Sequence, residues 1–175
     1  LITKAEIIDQ PYSGLYQEKI YDVASPWNSQ SWTWIKFENE DFIEWCGEFR
    51  DAPRAVALSK KYNNVLVLTS DYLFQMDCLS GDIIEYESRH IYQSLTVTPS
   101  GEFILTDDYT IEKIEANLKD KTLLESPVEM MDMITFTGWV NNTLSITCKE
   151  LMNWDNTFLL ELDGDTLELT IKDFI

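Results

Sequence analysis

Between residues 55 and 86 the chain runs AVALS, VLVLTS, YLFQMD and DIIEY, four short apolar stretches separated by KKYNN, by a bare Ser-Asp step and by Leu-Ser-Gly. Short runs rich in β-branched and aromatic residues, bounded by Asn, Asp, Ser and Gly, predict strands joined by tight turns. Residues 55–59, 65–70, 72–77 and 82–86 therefore form one antiparallel meander. Val65-Leu66-Val67-Leu68 contains no polar position, which predicts a strand covered on both faces. Tyr72-Leu73-Phe74-Gln75-Met76-Asp77 is only partly apolar and is expected nearer an edge.

The layout recurs. Residues 95–98, 103–107, 110–116 and 122–125 repeat it around the Pro99-Ser100-Gly101 turn, and Leu68-Thr69-Ser70-Asp71-Tyr72 is echoed by Leu105-Thr106-Asp107-Asp108-Tyr109 at the matching point. A third unit takes residues 134–136, 143–147, 157–162 and 167–171. Its last turn carries Asp163-Gly164-Asp165, a hairpin signal in which Gly164 is expected to supply the positive φ. Successive four-strand meanders at a period of about 40 residues characterise propeller blades. The sequence predicts a single all-β domain over residues 1–175, propeller-like or an open array of blades, with a β-sandwich as the alternative. Helix is expected at most around residues 127–132 and 149–153.

The first unit is less regular. Residues 1–10 suggest an edge strand and residues 19–24 a short strand, followed by the turn-rich segment Ser25-Pro26-Trp27-Asn28-Ser29. SWTWIKF (31–37) sets Trp32 and Trp34 on one strand face and Thr33, Ile35 and Phe37 on the other. FIEWCGEF (42–49) sets Ile43, Trp45 and Phe49 opposite Glu44 and Glu48. Trp34 and Trp45 are expected to anchor the core, because large aromatics bury about 150–250 Å² each. Trp27, in its polar link, is the expected exposed aromatic.

Charge is the most unusual feature of the composition. Thirty-one acidic residues against thirteen basic ones give a formal charge of −18, within a chain that is 45% hydrophobic and hence globular. A field of that sign repels nucleic acid and anionic membrane and speeds encounter with a cationic partner. No apolar run approaches the roughly 18 residues that suggest a membrane-spanning helix, and residues 1–10 show no secretory pattern, so a cytoplasmic protein is expected. Cys46, Cys78 and Cys148 lie far apart in apolar surroundings, which predicts buried reduced thiols rather than a zinc site.

No catalytic signature is present. His90 is the only histidine and no G-x-S-x-G elbow accompanies it. Asp107-Asp108 and Asp163/Asp165 lack the spacing of a calcium loop and are expected to be turn carboxylates. No cofactor and no metal are expected. One enzymatic alternative remains, a carbohydrate hydrolase using two carboxylates across the acidic, tryptophan-rich segment 32–51.

Glu38, Glu40, Asp41, Glu44, Glu48 and Asp51 stand within one short segment, with Arg50 the only cation inside it. Carboxylates at this density repel one another unless a cation faces them. These six residues and Trp27 form the expected partner-binding set. The segment WCGEFRDAPRAVALS (45–59), continuing through VLVLTSDYLFQMD (65–77), resembles small bacterial immunity proteins of contact-dependent growth inhibition and other polymorphic toxin systems, over about the middle third of the chain. The resemblance implies a non-enzymatic cytoplasmic antitoxin that binds and blocks a cognate toxin domain, often a nuclease. The charge leads to a similar expectation by a separate route, since a nuclease presents basic residues to its substrate and an acidic inhibitor can match that potential. A propeller-like scaffold for some other protein ligand is the remaining alternative.

Overall fold

The computed structural model describes residues 1–23 and 29–174. These residues contain no helix and pair into four separate four-stranded sheets. The first holds β1 (Ile2–Ile8), β2 (Gln17–Tyr21), β3 (Trp32–Asn39) and β4 (Glu44–Arg50). The second holds β5 (Pro53–Ser59), β6 (Asn64–Thr69), β7 (Tyr72–Asp77) and β8 (Ile83–Ser88). In the third are β9 (Ser94–Val97), β10 (Phe103–Thr106), β11 (Ile111–Ile114) and β12 (Lys121–Leu123), and in the fourth β13 (Met131–Val140), β14 (Thr143–Glu150), β15 (Asn153–Asp163) and β16 (Leu169–Phe174). The last three sheets are antiparallel meanders whose spatial order follows the chain.

The sheets stack face to face, and the two-residue alternation of strand side chains divides each inner strand between two interfaces. Val65 and Val67 of β6 join the cluster with Ile35, Phe37 and Phe49 of the first sheet, whereas Leu66 and Leu68 join Leu95, Phe103 and Leu105 of the third. That is why β6 carries no polar residue in its middle: water reaches neither face. In β10 the same division sends Phe103 and Leu105 back to the second sheet and Ile104 forward to Ile146 and Leu160 of the fourth. Three core clusters thus link four blades. Among the described residues no cluster joins the fourth blade to the first, so the blades form an open array and neither a closed ring nor a sandwich.

The Leu-Thr echo marks equivalent points. Thr69 and Thr106 are both enclosed at the ends of the second strands of their blades, where Thr69 Oγ1 accepts from Tyr72 N (3.2 Å) and Thr106 Oγ1 donates to Thr110 O (2.7 Å). The turn between third and fourth strands also repeats. Asp77 N donates to Asp82 O, Glu115 N to Asp120 O and Asp163 N to Glu168 O. Asp77 and Asp163 each use Oδ1 to accept two backbone N–H groups, and these bonds hold both carboxyls below the usual carboxylate range. Asp107 Oδ1 likewise accepts from the backbone of Tyr109 and Thr110, as expected of turn carboxylates.

Several expectations need correction. β7 is an enclosed inner strand, not a near-edge one, and its polar Gln75 is buried because its amide donates to Ala116 O of the next blade at 2.6 Å. Residues 127–132 and 149–153 are not helical. They fall on the link into β13 and on the turn from β14 to β15, where strand pairing of Met131 with Glu150 prevails over segments too short to nucleate a helix. The hairpin at Asp163-Gly164-Asp165 is present, but the positive φ belongs to Leu167 (59°). Gly164 serves a different purpose: its N–H donates to Asn142 O at 2.8 Å, and a Cβ there would lie 2.5 Å from Asn142 Oδ1.

The first blade differs in topology. Its spatial order is β1-β3-β4-β2, and β2 pairs with β4 in parallel, Gln17 against Trp45 through Tyr21 against Phe49. Because the outer strand is supplied from upstream, β4 passes directly into β5 of the second blade through Asp51-Ala52 alone. Tyr21 stacks on Phe49 (centroids 4.7 Å), Phe49 contacts Phe74 of the next blade (5.3 Å), and Tyr21 Oη donates to Gly81 O at 2.5 Å. All three cysteines are buried and unpaired, and burial pushes each thiol up to about 11.

Candidate protein-interaction surface

The expected site begins at the hairpin joining β3 to β4. Asn39 organises its turn: Oδ1 accepts from Asp41 N (2.9 Å) and Ile43 N (3.0 Å), while Phe42 takes a left-handed φ of 59° and donates its N–H to Asn39 O. This turn lifts Glu40, Asp41, Phe42 and Ile43 off the sheet. Phe42 is 81% exposed and Ile43 58% exposed, although the alternation of FIEWCGEF put Ile43 on the buried face; β4 begins only at Glu44, so Ile43 belongs to the turn.

Beside the turn, a hollow of about 290 Å³ separates the first and second blades. Ile43, Trp45 and Leu79 supply much of its apolar wall, and Leu79 is 78% exposed. Its one basic side chain is already engaged. Lys19 Nζ donates to Gly81 O (3.0 Å) and to Asp82 Oδ1 (2.7 Å), which raises the lysine and lowers the aspartate from their ordinary pKa values. No carboxylate lines this hollow, so it lacks the facing acid pair that glycoside hydrolysis uses.

The six expected acids divide into three groups. Glu40 and Asp41 lie exposed at the turn. Glu38, Glu44 and Glu48 lie on the outer face of the first blade, the face turned away from the second, where β1 and β3 bring cations that the local sequence does not show. Lys4 reaches Glu38 at 2.7 Å, and Lys36 lies 2.5 Å from Glu6 and 3.6 Å from Glu44. At Glu48 partial burial, and then the charge of Glu18, raise the carboxyl. Arg50, the one local cation, turns to Asp22 (Nη2 2.8 Å from each oxygen) and packs 4.1 Å from the Trp32 ring centroid. Trp34 shares this outer face and is half-buried, so it is not a core anchor; Ile35, Phe37 and Phe49 fill that role, with Trp45 half-buried and stacked on Phe37 at 5.3 Å. Trp27 lies outside the described residues.

Asp51 is not part of any surface. It is 0% exposed at the junction between blades, with φ 79°, its N–H donating to Ser31 O (2.9 Å) and its carbonyl accepting from Thr33 Oγ1 (2.8 Å). Its two carboxylate oxygens make no hydrogen bond among the described residues. Burial raises its pKa; the nearby Ser29 hydroxyl pulls the other way and the charge of Asp71 adds to the rise. A carboxyl whose folded pKa is raised destabilises the fold above that pKa and contributes nothing below the unfolded value near 4. Asp51→Asn, which keeps a residue that tolerates left-handed backbone, is therefore expected to raise the melting temperature at pH 7. A gain of about 1 kcal/mol corresponds to about 2–4 °C in a domain of this size. Melting curves at pH 7 and pH 3 check this: the difference should shrink towards zero at pH 3, and equal melting at both values would show that the carboxylate is already compensated.

No family model and no curated protein matches the chain. Among solved structures it is similar to a protein of unknown function from Bacteroides caccae (12% identity, 84% of this chain and 62% of that one, TM-score 0.42). It is also similar to KlHsv2 with loop 6CD replaced by a Gly-Ser linker (12%, 89% and 58%, TM-score 0.41) and to the WD40 domain of SCAP from fission yeast (11%, 98% and 48%, TM-score 0.41). The chain spans about half to two thirds of the length of these structures.

Proposed function

We propose that this chain is a non-enzymatic binding protein that engages a basic protein surface, and that it acts as an immunity protein neutralising a cognate toxin domain. The observation that supports this reading is the β3–β4 turn, which combines an exposed aromatic and an exposed aliphatic side chain with Glu40 and Asp41, next to Glu44 at the start of β4, on a molecule of charge −18. Apolar anchors within a charged rim suit a protein interface, where a few large side chains carry most of the affinity and charge sets the encounter rate. The cytoplasm, where such a toxin would act, is the proposed location.

Co-purification with the product of the adjacent gene, followed by binding kinetics, tests it. Association is expected to be fast and to slow as salt rises, because screening shortens from about 30 Å at 0.01 M to about 8 Å at physiological salt. Asp41→Asn and Glu44→Gln should chiefly lower the on-rate. Phe42→Ala should chiefly speed dissociation, by about tenfold or more if the ring is a buried anchor worth over about 1.4 kcal/mol. Glu48→Gln reports whether the contact spreads over the outer face. If no complex forms, the immunity reading fails; a complex indifferent to salt and to all four changes places the interface elsewhere.

A further inference from the structure

A second surface, on the third and fourth blades, has a different character. Tyr109, Leu123, Val128, Met130, Met131 and Leu151 line an apolar groove of about 470 Å³. Leu123 and Met130 are 61% and 53% exposed, and Met152 and Trp154, just beyond Leu151 in sequence, are exposed as well. The walls are tied together, since Leu151 N donates to Met130 O at 3.0 Å and Trp154 Nε1 to Asp132 Oδ2 at 2.9 Å. An exposed apolar patch of this kind marks an interaction site, and methionines adapt their shape to an apolar ligand. Glu125 and Glu129 line the groove, with Glu150 and Asp155 in the adjoining strands β14 and β15. The cations nearest in sequence point to other partners: Lys121 Nζ donates to both oxygens of Glu87, and Lys149 Nζ to Thr157 Oγ1. The groove thus has an apolar floor and an acidic rim.

We propose that this groove docks a basic amphipathic segment of a partner protein, with the apolar stripe on Met130, Leu123 and Leu151 and with Lys or Arg side chains reaching Glu125 and Glu129. Charge complementarity selects this occupant: a neutral apolar molecule would leave the rim carboxylates without partners, and a polar basic chain would leave the floor in water. The inference stands independently of the hairpin turn and of the immunity reading.

The test titrates the intact protein with a short synthetic Leu/Lys peptide patterned as an amphipathic helix, and with a scrambled peptide of the same composition. The patterned peptide should bind at least about tenfold more tightly. Leu123→Lys and Met130→Lys should each weaken it by about tenfold or more, while Asp41→Asn and Glu44→Gln on the first blade leave it unchanged. Met130→Ser serves as the check should a lysine variant melt early. Equal affinity for the two peptides would reduce the effect to net charge and overturn the proposal. Undiminished binding by the groove variants would overturn it too, as would displacement of the patterned peptide by a neutral apolar dye that binds more tightly than the peptide.

Discussion

Phe103→Ala should lower the stability of this protein by about 3–5 kcal/mol, read as a fall in the urea midpoint with the slope of the transition unchanged. Phe103 begins the second strand of the third blade, is fully enclosed, and packs with Leu66, Leu68 and Leu73 of the second blade while its ring lies 6.1 Å from that of Tyr62. Sheets flank it on both sides, so the cavity left by truncation has no mobile neighbour to collapse into it. The residue also sits at an interface between blades in the middle of the array, where loss of packing loosens two units at once. A loss below about 1 kcal/mol would show that the two blades are not packed as described.

Gly47→Val is the second large effect, and its cause is the opposite one. Gly47 lies in β4 where the aromatic cluster of the first blade closes over the backbone. A Cβ there would meet Phe37 Cε2 at 2.7 Å, Phe49 Cε2 at 3.0 Å and Tyr21 Cε2 at 3.0 Å. These rings cannot swing aside independently, because Tyr21 stacks on Phe49 and Phe49 contacts Phe74. Overpacking of a filled core costs about 1–3 kcal/mol, and more where the obstacles are rigid; the added Cβ with its two methyl groups should reach or exceed the upper figure. Gly47→Ala should cost less but keep the sign. Chemical denaturation of both variants checks the order, and a neutral Gly47→Val would mean that the Tyr21 ring, and β2 with it, is free to move away.

These positions also show how much of the molecule can be read in its sequence. Local pattern was sufficient wherever pairing is local: the meander at residues 55–86, its echo at 95–125 and the two-sided burial of Val65 to Leu68 all follow from alternation and turn residues, and the structure bears them out. Where pairing is remote, pattern misled. Gln75 made its strand look like a near-edge one because its acceptor, Ala116 O, belongs to another blade. The acids from Glu38 to Glu48 looked unbalanced because Lys4 reaches Glu38 from β1 across the sheet, and Lys36, although near in sequence, meets Glu44 only through the β3–β4 pairing. Asp51 looked like a member of the same charged surface; only the direct passage of β4 into β5 reveals it as an enclosed junction residue. Phe42 was hidden by its place at the head of an alternating run, and the signal for its exposure was Asn39, whose side chain can cap the turn that follows. The apolar groove between the third and fourth blades left only a faint mark in sequence, the Met130-Met131 pair beside Glu129, because its walls come from segments that meet only after folding.

The parallel β2 strand has a consequence for the order in which the chain settles. In the second, third and fourth blades each strand finds its partner immediately before or after it in sequence, so each loop that closes is short. In the first blade, residues 2–8 must wait for residues 34–39, and residues 17–21 for residues 45–49. Closing these longer loops costs additional chain entropy before any contact rewards it. The preformed face of the second blade, through Val65, Val67 and Phe74, lowers that cost by giving the arriving strands a surface to collect on. The blade that carries the acidic hairpin turn is therefore the one whose order depends most on its neighbour.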